Sequence, residues 1–252
     1  GVNTTGDRNV AIGNYSLDAN TVGDRNVAVG YGALTAYNPS TNEDSYNTAI
    51  GYSALYENTT GNFNTAVGGL AMDANTTGSG NVAVGEDSLG GNTTGDDNVA
   101  IGQNALKANT TGQRLTAVGQ GALAANTTAD SNVAVGRASL GANTTGHDNT
   151  AVGRASLGAN TTASDNTAVG AFALDANTTG NSNTAVGKSA LTTATTANDN
   201  TAVGFYGLGA LTTGAGNVAV GKDAGQLITT GNYNVAIGLD ALESVTTGAD
   251  NV

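Results

Sequence analysis

The sequence contains no cysteine and no tryptophan, and it has a single proline among 252 residues. Without cysteine, neither a disulfide framework nor thiolate chemistry is possible. Large apolar side chains are also scarce, since aromatic residues make up only 4% of the chain. This composition cannot fill the core of an ordinary globular domain, but it can fill a thin core that repeats along an axis.

Positive charge is the next shortage. Eight Lys and Arg residues stand against 20 acidic residues, which gives a net charge of −12. Binding to nucleic acid and adsorption to anionic membranes both need a basic surface, so we expect neither. The sequence has no run of 18 apolar residues. We therefore expect no membrane insertion in this segment.

What the chain has in abundance is glycine, with 38 residues, many of them regularly spaced. We call each glycine that follows Ala-Val or Ala-Ile a key glycine. Twelve of the thirteen intervals between key glycines are 17 residues, and the interval from Gly30 to Gly51 is 21. The repeating unit reads N-[TV]-A-[VI]-G-x-x-[AS]-L-x-x-N-T-T-G-x-x. The key glycines are Gly13, Gly30, Gly51, Gly68, Gly85, Gly102, Gly119, Gly136, Gly153, Gly170, Gly187, Gly204, Gly221 and Gly238.

A repeat of 17 residues is too short for a pair of helices, while its Asn-Thr/Val-Ala-Val/Ile segment has strand character. Glycine recurs after this segment and after Thr-Thr, which predicts two corners where φ is positive or backbones approach closely. We predict an all-β parallel β-solenoid, or β-roll, of about fourteen 17-residue coils with two or three short strands each. It forms a single repeat segment over residues 1–252, with an insertion at about 35–46. Because the repeat continues at both ends without caps, we expect a piece of a longer fibre.

Several positions of the repeat predict structural ladders between coils. The Val or Ile before each key glycine and the Leu four residues after it are expected in the core. At Gly225, which replaces this Leu, we expect Leu227 to fill the space. The Asn that opens the motif occurs in thirteen of fourteen copies, with Leu115 as the exception, and predicts a hydrogen-bonded amide ladder. The ladder residues singled out are Asn64, Val67, Gly68, Asn81, Val84, Gly85, Leu89, Ile101, Gly102 and Leu106.

No arrangement of catalytic, cofactor-binding or metal-ligating residues stands out from the repeat, so we expect no enzyme. His147 has no Cys or second His to complete a metal site. Acidic residues before the motif shift between two positions, which favours a solvated rim over a Ca²⁺ site.

Thr-Thr pairs such as Thr76-Thr77 suggest an ice-binding face, but adjacent threonines point to opposite sides of a strand. Asn-Thr-Thr also matches a glycosylation sequon, as at Asn75, although the repeat alone accounts for it.

The insertion in the second copy is the one irregularity, and it holds the single proline, Pro39. Insertions in solenoids bulge from one face, which is often the binding face. Five of the eight tyrosines lie near it, and exposed Tyr beside Asn can stack on sugars. The alternative is a tolerated loop covered by its own aromatic residues. The candidate contacts for a cell-surface glycan or receptor are Tyr31, Tyr37, Asn38, Tyr46, Tyr52 and Tyr56.

The Asn-Thr/Val-Ala-Val/Ile-Gly-x-x-Ala/Ser-Leu motif resembles the head repeats of trimeric autotransporter adhesins of the YadA type. It is also similar to repeat arrays in phage tail fibres. The resemblance covers all fourteen copies, although adhesin head repeats are shorter. It implies a left-handed β-roll, a homotrimer, a location outside the cell or on a virion, and binding to a cell surface.

We therefore expect a structural or adhesive segment of an extracellular fibre without catalysis. Two alternatives remain open from the sequence. One is an ice-binding β-solenoid, and the other is a secreted filament of identical chains that polymerises end to end.

Overall fold

The structure is a computed structural model that describes residues 3–42 and 44–252. It divides into two compact units, Gly1–Ala129 and Asp130–Val252. None of the described residues forms a helix able to cross a bilayer. The strands of the first unit are β1 (Val10–Ile12), β2 (Val27–Val29), β3 (Thr48–Ile50), β4 (Thr65–Val67), β5 (Val82–Val84), β6 (Val99–Ile101) and β7 (Thr116–Val118). Those of the second are β8 (Val133–Val135), β9 (Thr150–Val152), β10 (Thr167–Val169), β11 (Thr184–Val186), β12 (Thr201–Val203), β13 (Val218–Val220) and β14 (Val235–Ile237).

Each repeat forms one coil, and equivalent residues of successive coils lie side by side. Within each unit the strands pair in parallel and in chain order, so that Val67 pairs with Val84 and Val84 with Ile101. The predicted all-β parallel solenoid is confirmed. The expectation of two or three strands per coil is wrong, because each coil has one strand of three residues. Turns complete the coil, and their amides still bond to the next coil: the Leu89 N–H donates to the Ala105 carbonyl at 2.9 Å.

The turns depend on residues in the left-handed region of the backbone. In the coil that begins at β5, Gly85 has φ of 132°, Asp87 of 55°, Leu89 of 53° and Asp97 of 57°. The first of these conformations is open only to glycine, which explains the key glycine. Gly95, after Thr-Thr, is not left-handed. A Cβ atom there would meet the carbonyl of the next coil, so the second predicted corner reflects close approach rather than positive φ.

The core consists of small and medium side chains stacked in files. The central Ala of every strand from β2 to β14 is buried, as Ala83 is, and so is the Leu of nearly every coil. Leu89 is fully buried although its left-handed backbone costs about 1–2 kcal/mol. Burial of a leucine side chain contributes about 1.5–3 kcal/mol, which offsets that strain.

The strand residues on either side of the central Ala point away from the core. Val67 and Val84 are half-buried and Ile101 is 40% exposed, so the expectation that these residues pack inside is wrong. Successive side chains of a strand alternate between its two faces, and the narrow coil accepts only the smallest of the three. Thr65 lies on the same outer face, and its hydroxyl makes no hydrogen bond within the described part of the chain. The sheet therefore presents two outward files per unit, one of Thr or Val and one of Val or Ile.

In the coil that lacks the core leucine, the residue that fills the leucine's space is Ile228 and not Leu227, which the sequence predicted. Leu227 is 48% exposed, whereas Ile228 is fully buried. A Cβ atom on Gly225 would lie 3.1 Å from Cδ1 of Ile228, which shows that Ile228 occupies the leucine's space. The sequence interpretation was wrong because it counted distance along the chain and not the direction of each side chain in the turn.

Candidate functional site

The asparagine that opens each repeat joins neighbouring coils and also closes its own coil. Asn81 Nδ2 donates to Asn64 Oδ1 at 3.2 Å and to the Gly95 carbonyl at 2.9 Å. Its Oδ1 accepts the backbone N–H of Asn98 at 2.9 Å. Asn81 is fully buried, and its amide group is satisfied on both sides. At Leu115 the chain breaks this file, and the Leu115 backbone N–H still donates to Asn98 Oδ1.

A second asparagine ladder runs through the Asn-Thr-Thr segments, and sequence analysis missed it. Asn92 Nδ2 donates to Asn75 Oδ1 at 2.8 Å and to the Gly95 carbonyl at 3.0 Å. Asn81 reaches the same carbonyl, so two buried amides share one acceptor at the corner. The sequon asparagines Asn58, Asn75 and Asn92 are fully buried, which removes them from the surface that a glycan would need.

The hydroxyl of the first threonine in the Thr-Thr pairs forms a hydrogen bond to the next coil. Thr76 Oγ1 donates to the Thr93 carbonyl at 2.9 Å, and Thr93 Oγ1 donates to the Thr110 carbonyl at 3.0 Å. The second threonine, such as Thr77, is exposed. The pair therefore does not form a double row of free hydroxyls.

The variable turn before the motif provides acceptor side chains for the preceding coil. Asp96 Oδ1 accepts the Ser79 N–H at 2.7 Å, and Ser79 Oγ accepts the Asn62 N–H at 3.1 Å. This role explains the Asp, Ser and Asn residues found there. The described residues contain no group of three acidic or His side chains placed to hold a metal ion. His147 is exposed, with Nδ1 2.8 Å from Asp148 Oδ2.

Two carboxyl groups on the edge after the core leucine have altered acidity. Partial burial raises the pKa of Asp73, and the nearby Asp87 carboxylate raises it further. Partial burial likewise raises the pKa of Asp175. Both side chains are partly buried, and each shift follows from the surroundings of its own carboxyl group.

Tyr37 is a core residue and not a surface contact, so that expectation is wrong. It stands seven residues after its key glycine, where most other coils have the second asparagine, and it is fully buried. Its hydroxyl donates to Asn62 Oδ1 at 2.7 Å. A Cβ atom on Gly23 would lie 3.2 Å from Pro39, so the insertion packs against the preceding coil. Counting from Gly30 would have revealed this position in the sequence.

Four exposed tyrosines form a cluster in the first three coils, which we call the aromatic cluster: Tyr15, Tyr31, Tyr52 and Tyr56. Tyr31 stacks on Tyr52 with ring centroids 5.6 Å apart, and Tyr15 meets Tyr31 edge-on at 5.5 Å. Tyr15, Tyr31 and Tyr56 line a cavity of about 380 Å³ with Asp18 and Thr35. Tyr15 is not among the contacts predicted from the sequence, because it lies a whole coil before the insertion.

The other candidates lie apart from this cavity. Tyr46 is 49% exposed and stacks on Phe63 at 5.8 Å, with the Arg25 guanidinium 5.4 Å from its ring. Asn38 is exposed, and its Oδ1 accepts the Thr21 hydroxyl at 2.7 Å. The structure thus separates the six candidates into three tyrosines of the aromatic cluster, a second aromatic pair, a loop amide and one core residue.

Comparison with known proteins adds no family to these observations. No protein-family model matches the chain, and no curated protein matches it. The function must therefore be argued from the surfaces themselves, which are the outward files of the sheet and the aromatic cluster.

Proposed function

We propose that the chain is a structural and adhesive segment of an extracellular fibre, assembled as a homotrimer. The observation that carries this proposal is the outer face of the sheet. In each unit it presents a continuous file of Val and Ile beside a file of Thr and Val, with no charged side chain in either file. The rest of the surface is rich in acidic and amide groups, so this face is distinct in chemistry.

Identical chains are a suitable partner for this face. Every chain of the same sequence has the same rise per coil, about 4.8 Å for paired strands. The side-chain ridges of one chain and the grooves of another therefore have the same spacing. A partner of the same sequence would remove the aliphatic files from water without burying a charge. The number of three copies and the location outside the cell come from the resemblance to adhesin head and tail-fibre repeats.

The aromatic cluster supports the adhesive part of the proposal. Tyrosine combines a large apolar ring with a hydroxyl, which suits it to contact a partner surface that is partly polar. Tyr52 is 60% exposed and Tyr15 is 58% exposed, so their rings are open to such a partner. The scaffold around them is held by buried ladders, and no catalytic step is part of the proposal.

Ice binding is the second candidate, because half of the strands place a threonine on the outer face, as Thr150 and Thr167 do. The neighbouring file, however, contains only Val and Ile and cannot provide hydroxyls. A thermal hysteresis measurement distinguishes the two functions. We expect no hysteresis, and a clear hysteresis gap would favour the ice-binding function.

The trimer is tested by introducing charged residues on the outer face of the sheet. We expect native mass spectrometry to give three times the chain mass for the unmodified protein. The double variant Val67→Asp with Val84→Asp should give a monomer, because four half-buried carboxylate oxygens per chain would enter the interface. The matched control is Thr77→Asp with Thr94→Asp, which places the same charges on exposed positions of the same coils.

A monomeric unmodified protein would contradict the assembly, and so would a valine variant that remains trimeric. Circular dichroism of both variants shows whether the coils are intact. A folded monomer is the expected result for the valine variant, while the threonine control should stay trimeric.

A further inference from the structure

Half of the chain's eight cationic residues lie in a single file of the second unit. This file, which we call the cationic file, is formed by the residue directly after each key glycine. From β8 onward the file contains Arg137, Arg154, Ala171, Lys188, Phe205, Lys222 and Leu239. The same position in the first unit has no cation, and there Gln103 Nε2 donates to Glu86 Oε2 at 2.8 Å.

Three members of the cationic file have no anionic partner in the part of the chain that the structure describes: Arg137, Arg154 and Lys188. Four other cations, one of them Lys222 of the cationic file, are paired with carboxylates. Arg8 pairs with Asp7, Arg25 with Asp44, Lys107 with Asp87 and Lys222 with Asp223. Unpaired cations are notable in a chain of net charge −12. Arg137 and Arg154 occupy equivalent turn positions of neighbouring coils, where their like charges repel, so this arrangement costs stability.

Aromatic rings lie beside these cations. The Arg154 guanidinium is 4.4 Å from the centroid of Phe172, and the Lys188 ammonium is 5.8 Å from that of Phe205. Arg137, Arg154 and Phe172 also line a cavity of about 240 Å³ whose remaining lining is two alanines. The cavity thus combines two guanidinium groups with an apolar floor and one ring. Cation–π contact holds a guanidinium over the ring while its edges stay free to donate hydrogen bonds.

We infer that the cationic file binds a linear acidic polysaccharide through its carboxylates, with the Arg137–Arg154 pair as the anchor. The inference deepens the adhesive function proposed above by naming the ligand class, and it does not depend on the number of chains. Arginine binds carboxylates through paired N–H donors, and rings such as Phe172 pack against the apolar faces of sugars. Neighbouring coils place cations about 4.8 Å apart and alternate coils about 9.6 Å apart, which suits charges spaced along a polymer of sugars.

The charge balance favours this ligand over nucleic acid. A nucleic acid carries one charge for each phosphate along its whole length, and its affinity depends on neutralising many of them. Three unpaired cations on an acidic protein neutralise few phosphates, while the remaining phosphates face negative charge. An acidic polysaccharide carries its carboxylates on separate sugar rings and offers uncharged faces between them.

The probe is a hexamer of galacturonic acid, measured by isothermal titration calorimetry with the full chain. We expect binding that weakens between about 50 mM and about 200 mM salt, since counterions compete for the arginines. The double variant Arg137→Gln with Arg154→Gln should weaken binding by at least about tenfold, because charge-assisted hydrogen bonds are lost. The matched control Arg8→Gln with Lys107→Gln removes the same charge from paired cations and should bind as the unmodified chain does.

Two further probes give outcomes that would overturn the inference. The fully methyl-esterified hexamer keeps the sugar chain without its charge, and binding as tight as that of the acid would contradict the role of carboxylates. A thymidine hexanucleotide that binds more tightly than the acid would identify a nucleic-acid surface instead. Absence of binding by the unmodified chain, or equal binding by the arginine variant, would also refute the inference.

Native mass spectrometry of the same preparations separates this inference from the assembly. Loss of binding with an unchanged oligomeric state in the arginine variant is the expected result. A monomeric protein that still binds the hexamer through Arg137 and Arg154 would refute the trimer and support the ligand. Circular dichroism of the arginine variant verifies that its coils are intact.

Discussion

At the scale of the residue, two glycines of each repeat look equivalent in the sequence but differ in backbone conformation. Gly85 has φ of 132°, a conformation that residues with a Cβ atom rarely adopt. Gly95 has no positive φ, and its position is occupied by Ala129, Ala163 and Ala197 in other coils. Only the key glycine is therefore required by backbone geometry.

The matched pair Gly85→Ala and Gly95→Ala tests this difference. At Gly85 a Cβ atom would lie 2.7 Å from the carbonyl carbon of Gly102, and the backbone would also be strained. We expect a loss of about 3 kcal/mol or more from strain and overpacking together. At Gly95 a Cβ atom would lie 2.3 Å from the Gly112 carbonyl oxygen, so the next coil must shift, as it does where other coils have alanine. Gly95→Ala should nevertheless cost clearly less than Gly85→Ala, because its φ is not left-handed and it adds overpacking without backbone strain. Thermal unfolding followed by circular dichroism measures both, and equal shifts in the two variants would contradict the assignment.

The two asparagine ladders show how far the sequence can predict individual contacts. The first ladder could be predicted because its Asn recurs in thirteen copies and no other role requires it. The second could not, because its Asn belongs to the Asn-Thr-Thr segment. There the sequence is equally well explained by a glycosylation sequon or by a residue that favours turns. Only the fold reveals that Asn81 and Asn92 converge on the Gly95 carbonyl, since they lie eleven residues apart in the sequence.

At the scale of the element, the strand could be located in the sequence but its orientation could not. An alanine between two aliphatic residues is compatible with either face toward the core. The coil resolves this because its interior is too narrow for Val82 and Val84 together with Leu89, so Ala83 faces inward. The resulting outer files are the observation on which the proposed trimer depends, and the sequence interpretation had placed the file of Val and Ile inside.

The turn after β13 provides a test of core packing within one element. Ile228→Ala should destabilise the second unit by about 2–5 kcal/mol, because it leaves a cavity where other coils have a leucine. Leu227→Ala, at the neighbouring exposed position, should change stability by less than about 0.5 kcal/mol. Unfolding midpoints of the two variants provide the comparison. If Leu227→Ala were the more harmful change, the observed side-chain directions would be wrong.

At the scale of the whole molecule, repetition means that each coil is stabilised by its neighbours within a unit. Ladders of Asn, Thr and backbone amides all connect equivalent residues of successive coils, as Asn64 and Asn81 do. Stability in such a protein is approximately a sum of coil and interface contributions. The fold class and the number of repeats could be predicted from this periodicity, whereas the cationic file depends on residues that vary between repeats.

Excision of one complete repeat tests this description. Removal of residues 69–85 joins Gly68 to Glu86, which restores the normal residue after a key glycine. We expect a folded protein with the same spectrum per residue and a modest decrease in the unfolding temperature, since one interface between coils is lost. Circular dichroism and thermal unfolding provide the measurement.

A deletion of residues 70–85 is the control, because it leaves one extra residue in the turn that places the core leucine. Leu89 would then stand five residues after the key glycine Gly68 and not four. Ser88 would take the left-handed position that Leu89 normally occupies, and Leu89 would leave the buried file. This variant should unfold at a clearly lower temperature than the complete excision. Equal stability of the two deletions would contradict the requirement that the core leucine stand four residues after the key glycine.

The 21-residue second repeat has a practical consequence for protein engineering. Asn26, Asn47 and Asn64 remain hydrogen-bonded in sequence although the loop around Pro39 is four residues longer than in other repeats. The corner that follows Thr-Thr in other coils therefore accommodates additional residues while the strands keep their pairing. Antigen or enzyme-recognition peptides grafted at this corner in successive coils of one unit would be displayed at a fixed interval of about 4.8 Å. Such a row would engage a multivalent receptor with an avidity set by the number of grafted coils.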